Sequence, residues 1–161
     1  MAVVMEIAGL ALDEKSRAPI VVLKDSTGNH VLPIVVGIME ASAIAAQLEG
    51  VDLPRPMTHD LLTSVIAELG AKVIGVEVCD LINDTFYARV SIKAGKKTIH
   101  LDARPSDSIA LALRTGAPIS VAEKVLQATS QKLPIPGGDD EATWKDVLEN
   151  LEDDEFGKYK M

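Results

Sequence analysis

The residues best suited to chemistry stand close together in the stretch HLDARPSD, residues 100–107. Read as a strand running into a helix, it puts His100, Asp102 and Arg104 on one strand face, with Leu101 and Ala103 on the other. Pro105 then opens the helix, where unpaired backbone N–H groups and the helix dipole favour an anion. Arg104 beside that terminus is suited to clamp a phosphate. His100 could move a proton, and Asp102 or Asp107 could bind a divalent metal (Mg or Mn) or orient a water. The same residues also fit a structural role, with Asp107 a first-turn carboxylate and Asp102 and Arg104 an ion pair.

A second cluster holds Arg55, Thr58, His59 and Asp60. His59 and Asp60 could act as a base and its orienting partner, or as metal ligands at the mouth of a cleft, with Arg55 on phosphate. The plain alternative makes Thr58 a helix cap, Asp60 a dipole carboxylate and His59 a solvated first-turn residue. Glu40 is the one charge early in a nearly all-apolar helical stretch. It could bond Arg55 or Arg104, or join Asp102 and Asp107 as a metal ligand. His30 lies beside a turn and reads as solvated. No HExxH, GxSxG, P-loop or GxGxxG pattern occurs, and one cysteine, Cys79, allows neither an internal disulfide nor a thiolate zinc site.

These residues need elements to position them. Residues 2–12, 18–24 and 30–36 read as strands, the third with Pro33 marking an edge or irregularity. A helix over 38–49 is apolar on most faces and is expected to be deeply buried. A second helix starts at Thr58 as N-cap, with Met57 and Leu62 at the spacing of a hydrophobic staple, and Gly70 ends it. Its stripe is Leu61, Leu62, Val65, Ile66 and Leu69. Strands follow over 72–81, 85–93 and 98–103, then a helix over 105–115 stopped by Gly116, and a short helix near 120–128. At an offset of 67 the halves match: Leu32 falls on Ile99, Glu40 on Asp107, Ile44 on Leu111 and Gly28 on Gly95. The expectation is an α+β domain of mixed or antiparallel sheets packed with buried helices, in two similar strand-strand-strand-helix halves.

The chain has 161 residues, enough for one domain and a tail, and its 47% apolar content excludes disorder throughout. It carries 16 basic and 24 acidic side chains, a formal charge of −8. Residues 1–133 hold 13 basic and 15 acidic groups, and residues 134–161 hold 3 and 9. The domain is thus 1–133 and nearly neutral. The segment 134–161 reads as a Pro/Gly linker, a short amphipathic helix with Trp144, Val147, Leu148 and Leu151 on one face, and an acidic tail. No basic run with interleaved aromatics occurs, which is poor material for stacking bases. No signal-peptide pattern or long apolar run is present, so a cytoplasmic protein with no membrane partner is expected.

Two blocks, LPIVVGIMEASAIAAQLEGVDLPRPMTHDLL (32–62) and HLDARPSDSIALALRTGAPISVAEKVL (100–126), with TFYARV (85–90) between them, resemble the bifunctional nuclease family. The resemblance covers roughly residues 3–130. It implies an α+β domain, often oligomeric, with nuclease activity on DNA and RNA. It places the family's motif residues at Glu40, Arg55, His59, Asp60, Asp102, Arg104, Ser106 and Asp107. On this reading Arg55, Arg104 and Ser106 hold the phosphate, Asp102, Asp107 and Glu40 a metal, and His59 or His100 the proton, with Asp60 in the catalytic set. Two other readings stand beside it: a non-catalytic module for an anionic ligand or a protein partner, and a structural homo-oligomer, a dimer first.

Overall fold

The structure, a computed structural model, describes residues 1–130. The linker, amphipathic segment and acidic tail expected over 134–161 lie outside the described residues. The element order is β1 (Ala2–Leu12), β2 (Pro19–Asp25), β3 (Val31–Val35), α1 (Ile38–Leu48), α2 (Thr58–Glu68), β4 (Ala71–Ile82), β5 (Thr85–Ala94), β6 (Lys97–Ala103), α3 (Pro105–Thr115), β7 (Ile119–Ala122) and α4 (Glu123–Ser130). All seven strands join one sheet in the order β3-β2-β1-β7-β4-β5-β6. Every neighbouring pair is antiparallel except β4 and β7, which run parallel. The fold is α+β, with one mixed sheet. No helix among the described residues is long and apolar enough to cross a membrane.

A shift of 67 lays α3 on α1 residue for residue, and β5 and β6 on β2 and β3 within two residues at each end. Both hairpins turn on a left-handed glycine, Gly28 at φ 73° and Gly95 at φ 61°. The two halves flank β7, which is antiparallel to β1 and parallel to β4. The sequence pattern over 120–128 predicts helix, but Ile119–Ala122 is this central strand and α4 begins only at Glu123. Four residues are too few for a strand's alternation to show, and both partners of β7 are distant in sequence.

One face of the sheet carries the main core. Val21, Leu23, Leu32, Ile34, Val90, Ile92 and Val121 point there and meet Ile44 of α1 and Ile109 and Leu111 of α3. α3 is the buried helix, with seven of its eleven residues inside. α1 is not deeply buried as its composition predicts: only Ala41, Ala43 and Ile44 are. α2 has no buried residue. Its apolar stripe packs through partly buried Ile66 and leaves Leu61, Leu62, Val65 and Leu69 exposed. Thr58 is the first residue of α2, not its cap. Met57 takes the cap position, and its N–H donates to Asp60 Oδ2 at 2.9 Å.

Candidate functional site

Three helix N-termini converge beside the end of β6. Each carries an acidic residue at its third position: Glu40 in α1, Asp60 in α2 and Asp107 in α3. Local sequence explains each start. Gly37 caps α1, Met57 caps α2 with Asp60 reaching back, and Arg104 caps α3 ahead of Pro105. A carboxylate in the first turn of a helix sits well with the dipole, so all three positions are locally favourable before any chemistry is asked of them.

A cleft of about 610 Å³ opens between these termini and the sheet. Glu40, His59, Asp102, Arg104 and Asp107 border it, and Leu62, Ile66, Val90, Ile92 and Leu111 form apolar walls. At its centre Arg104 donates from Nε to Asp107 Oδ2 at 2.8 Å and from Nη2 to Asp107 Oδ1 at 3.2 Å. Its Nη1 lies 3.0 Å from Glu40 Oε1. His59 Nε2 lies 2.9 Å from Asp107 Oδ1, with the His59 side chain 12% exposed. Gly37 makes room for this arrangement, because the Glu40 carboxylate folds over the space a Cβ there would fill.

Asp107 and Arg104 hold each other in their charged forms. Burial pushes the Asp107 carboxyl up, but hydrogen bonds from Arg104 and His59 outweigh it and hold the group below the ordinary carboxylate range. An ionised Asp107 only accepts, so the Nε2 of a neutral His59 carries the proton and donates it to Asp107. That leaves a lone pair on Nδ1. Asp107 in turn raises the Arg104 guanidinium, which stays charged. Three of the five guanidinium N–H donors serve these contacts, leaving two for an anion.

The structure thus brings Glu40, His59, Arg104 and Asp107 into one network. It separates the others. The strand parity of β6 sets His100 and Asp102 apart from Arg104, contrary to the shared face that the sequence predicts. Leu101 pairs in register with Val90 on the core face, whereas His100 pairs with Ser91 and Asp102 with Arg89 on the opposite face. Arg104 lies beyond the paired strand, and its side chain turns to the helix side. Ser91 Oγ and His100 Nδ1 are 2.9 Å apart on the outer face. Ser106 is fully buried in α3.

Asp60 turns away from His59 and meets Arg114 Nε at 2.6 Å. The Met57 N–H and then Arg114 lower its carboxyl below the ordinary range. Asp60, Arg114 and Arg55 border a second cleft of about 300 Å³ on the other side of Met57. Arg114 escapes the sequence reading. Its side chain is 6% exposed and also donates to the carbonyls of Ala110 and Ala43, at 3.0 and 3.1 Å. A lone cation closing an otherwise apolar helical run was the available signal.

The metal expectation needs Glu40, Asp102 and Asp107 together. Asp102 touches the rim of the cleft, but its register opposite Arg89 puts it on the outer strand face, and Arg104 stands between the remaining two carboxylates. Among the described residues no group of three or more His, Cys, Asp or Glu side chains is arranged to hold a metal ion. The donor set in this arrangement does not fit one.

A family model of the bifunctional nuclease domain matches residues 21–134. An uncharacterised protein of Mycobacterium tuberculosis is 37% identical over 162 aligned residues, covering 94% of this chain and 96% of that protein. Bifunctional nuclease 1 of Oryza sativa subsp. japonica is 29% identical over 131 residues, 79% of this chain but 40% of its own length. Bifunctional nuclease 2 of Arabidopsis thaliana is 30% identical over 102 residues, 62% of this chain and 31% of its own. The matched span contains α1, α2 and α3 with their convergent N-termini. This chain belongs to the bifunctional nuclease domain family.

Proposed function

We propose that this chain is a nuclease hydrolysing phosphodiester bonds in DNA and RNA at the His59–Asp107–Arg104 cleft. The observation that carries the reading is the His59–Asp107 pair set beside a guanidinium with two donors to spare. Arg104 binds the non-bridging phosphate oxygens and stabilises the charge that builds on them in the transition state. His59, its tautomer fixed by Asp107, takes a proton from the attacking water through Nδ1. Glu40 positions Arg104. The open cleft lets solvent protonate the leaving oxygen. His100, Asp60 and Arg55 lie outside this set and have no direct part in it. Family membership and the names of the plant relatives support the reading.

The test uses the full chain on plasmid DNA and on single-stranded RNA, with a chelator and with added Mg or Mn. His59→Gln and Arg104→Ala should each lower the rate by about 10²-fold or more. Asp107→Asn, which no longer dictates the His59 tautomer, should fall as far while Asp107→Glu recovers part of the rate. Unchanged cleavage in the purified His59 and Arg104 variants would discard the assignment. One observation favours a second reading, a non-catalytic module for an anionic ligand. Arg104 is already matched by two carboxylates, so the cleft is not strongly cationic. In that case the variants lose ligand binding and the wild type cleaves nothing.

The same region is the natural place for self-association. Met39 is 72% exposed, Leu61 59% and Leu69 79%, and Ile38, Leu62, Val65, Ile99 and Leu101 are exposed with them. Met39, Leu62 and Leu101 border the cleft, so α1, α2 and β6 each bring an exposed apolar side chain to it. These eight side chains expose on the order of 800 Å², one partner's share of a standard interface. The occupant is a second copy of this chain, forming a homodimer whose interface borders the cleft.

A further inference from the structure

The sheet face without the core helices collects cations that the sequence scatters. Lys72 of β4 lies directly opposite Lys93 of β5, and Lys93 opposite Thr98 of β6. The next row on this face holds Ser91 opposite His100. The β5–β6 turn adds Lys96 and Lys97 at the same end. Residues 85–101 contain four basic side chains and no Asp or Glu. Lys72, Lys93, Lys96 and Lys97 are all exposed, and none pairs with a described carboxylate. Like charges set directly opposite on paired strands repel. Here nothing described offsets Lys72 against Lys93. Further along, Arg89 meets two carboxylates, Glu77 at 3.2 Å and Asp102 in register across the β5–β6 pair, so the positive charge is confined to the hairpin end.

We propose that this outer face of β4–β6 is a docking surface for the phosphate backbone of single-stranded nucleic acid. The surface is open sheet, which suits an extended polyanion better than a small enclosed one. Side chains two residues apart on a strand face are separated by about 6.8 Å, so the lysine row and the Ser91–His100 row offer successive donors to one backbone. Tyr87, the exposed aromatic of this face, lies about 20 Å from Lys93, beyond the Glu77–Arg89–Asp102 row and opposite Asp80, so the docking surface is the lysine end and not the whole strand. β6 is the edge of the sheet and leads straight into Arg104, so a strand bound here reaches the cleft by passing one edge. The proposal rests on the nuclease reading for that last step only.

The experiment measures binding of labelled oligo-dT and oligo-U to the full chain by anisotropy across a salt series. Lys72→Gln/Lys93→Gln should weaken binding at least tenfold at low salt. It should also reduce the slope of log affinity against log salt by about 1.4, two contacts' worth for a single strand. Lys15→Gln/Arg17→Gln removes the same charge on the β1–β2 hairpin and should change little. Wild-type affinity in the Lys72/Lys93 variant, or an equal loss in the Lys15/Arg17 control, overturns the proposal. Tighter binding in the Lys72/Lys93 variant also overturns it, and would mean that the face holds this chain's own acidic segment. A wild type that cleaves nothing while the lysine variant loses binding removes the nuclease reading and leaves the docking face standing.

Discussion

Asp107 is the acceptor shared by Arg104 and His59. Its carboxyl is held below the ordinary range, so it stays ionised across the pH range in which an imidazole titrates. Asp25 shows the same physics in a structural role. Burial pushes its carboxyl up, but the His30 ring at 3.0 Å, the Thr27 hydroxyl at 2.7 Å and the His30 amide at 3.1 Å bring it down to about 2 from an ordinary 3.8. The expectation of a solvated His30 is thereby refined, because its ring is half exposed yet tied to this carboxylate. A depressed carboxyl contributes stability that is fully present above its unfolded value and is lost as pH falls through the folded one. Asp25→Asn should therefore lower stability by about 2 kcal/mol near neutral pH. The gap to the wild type should close as pH drops from about 4 toward 2. Urea unfolding at several pH values checks this, and a gap that stays constant in acid would refute it.

At the level of elements, Arg114 ties three helices by reaching from the last turn of α3 to Asp60 of α2 and to the Ala43 carbonyl of α1. Arg114→Met keeps much of the stem but strands a buried carbonyl and part of the Asp60 charge. It should cost about 2 kcal/mol, read as a lower urea midpoint, and it should loosen His59 because α2 carries both residues. An unchanged midpoint would show that the strut is dispensable. How far the sequence was legible follows from similar local and non-local distinctions. α3 announced itself through Pro105, its apolar spacing and Gly116, all local signals that the structure repeats. The polar cluster 100–107 was also visible, but not its division between two faces. That division depends on where β6 ends and the chain turns. The Leu stripe of α2 obeys the helical period, yet periodicity tells which residues share a face and not whether that face is covered. β7 and the role of Arg114 were missed for a common reason: their partners are distant in sequence.

For the molecule as a whole, two long-range terms remain: an uncovered apolar face and an uneven charge. Leu61, Leu62, Val65 and Leu69 of α2 are all exposed, and the proposed dimer rests on them. Leu61→Asp/Leu69→Asp should turn a dimer into a monomer in sedimentation while leaving the fold intact; a monomeric wild type would dismiss the interface. The charge argues differently. The total of −8 suggests a protein that repels nucleic acid, but residues 134–161 supply 9 of the 24 acidic groups and only 3 of the 16 basic ones. The remainder is near −2, with Arg104 at the cleft and four lysines at the β4–β6 end of the sheet. A tethered segment of −6 competes with phosphate for those cations by simple Coulomb attraction, and salt weakens that competition with a screening length of about 10 Å at 0.1 M. Removing residues 134–161 should therefore tighten binding of single-stranded nucleic acid severalfold at low salt. The advantage should shrink steadily as salt rises, because the term removed is itself screened. Binding that is unchanged by the truncation at low salt would show that the acidic segment plays no part in how this chain meets a polyanion.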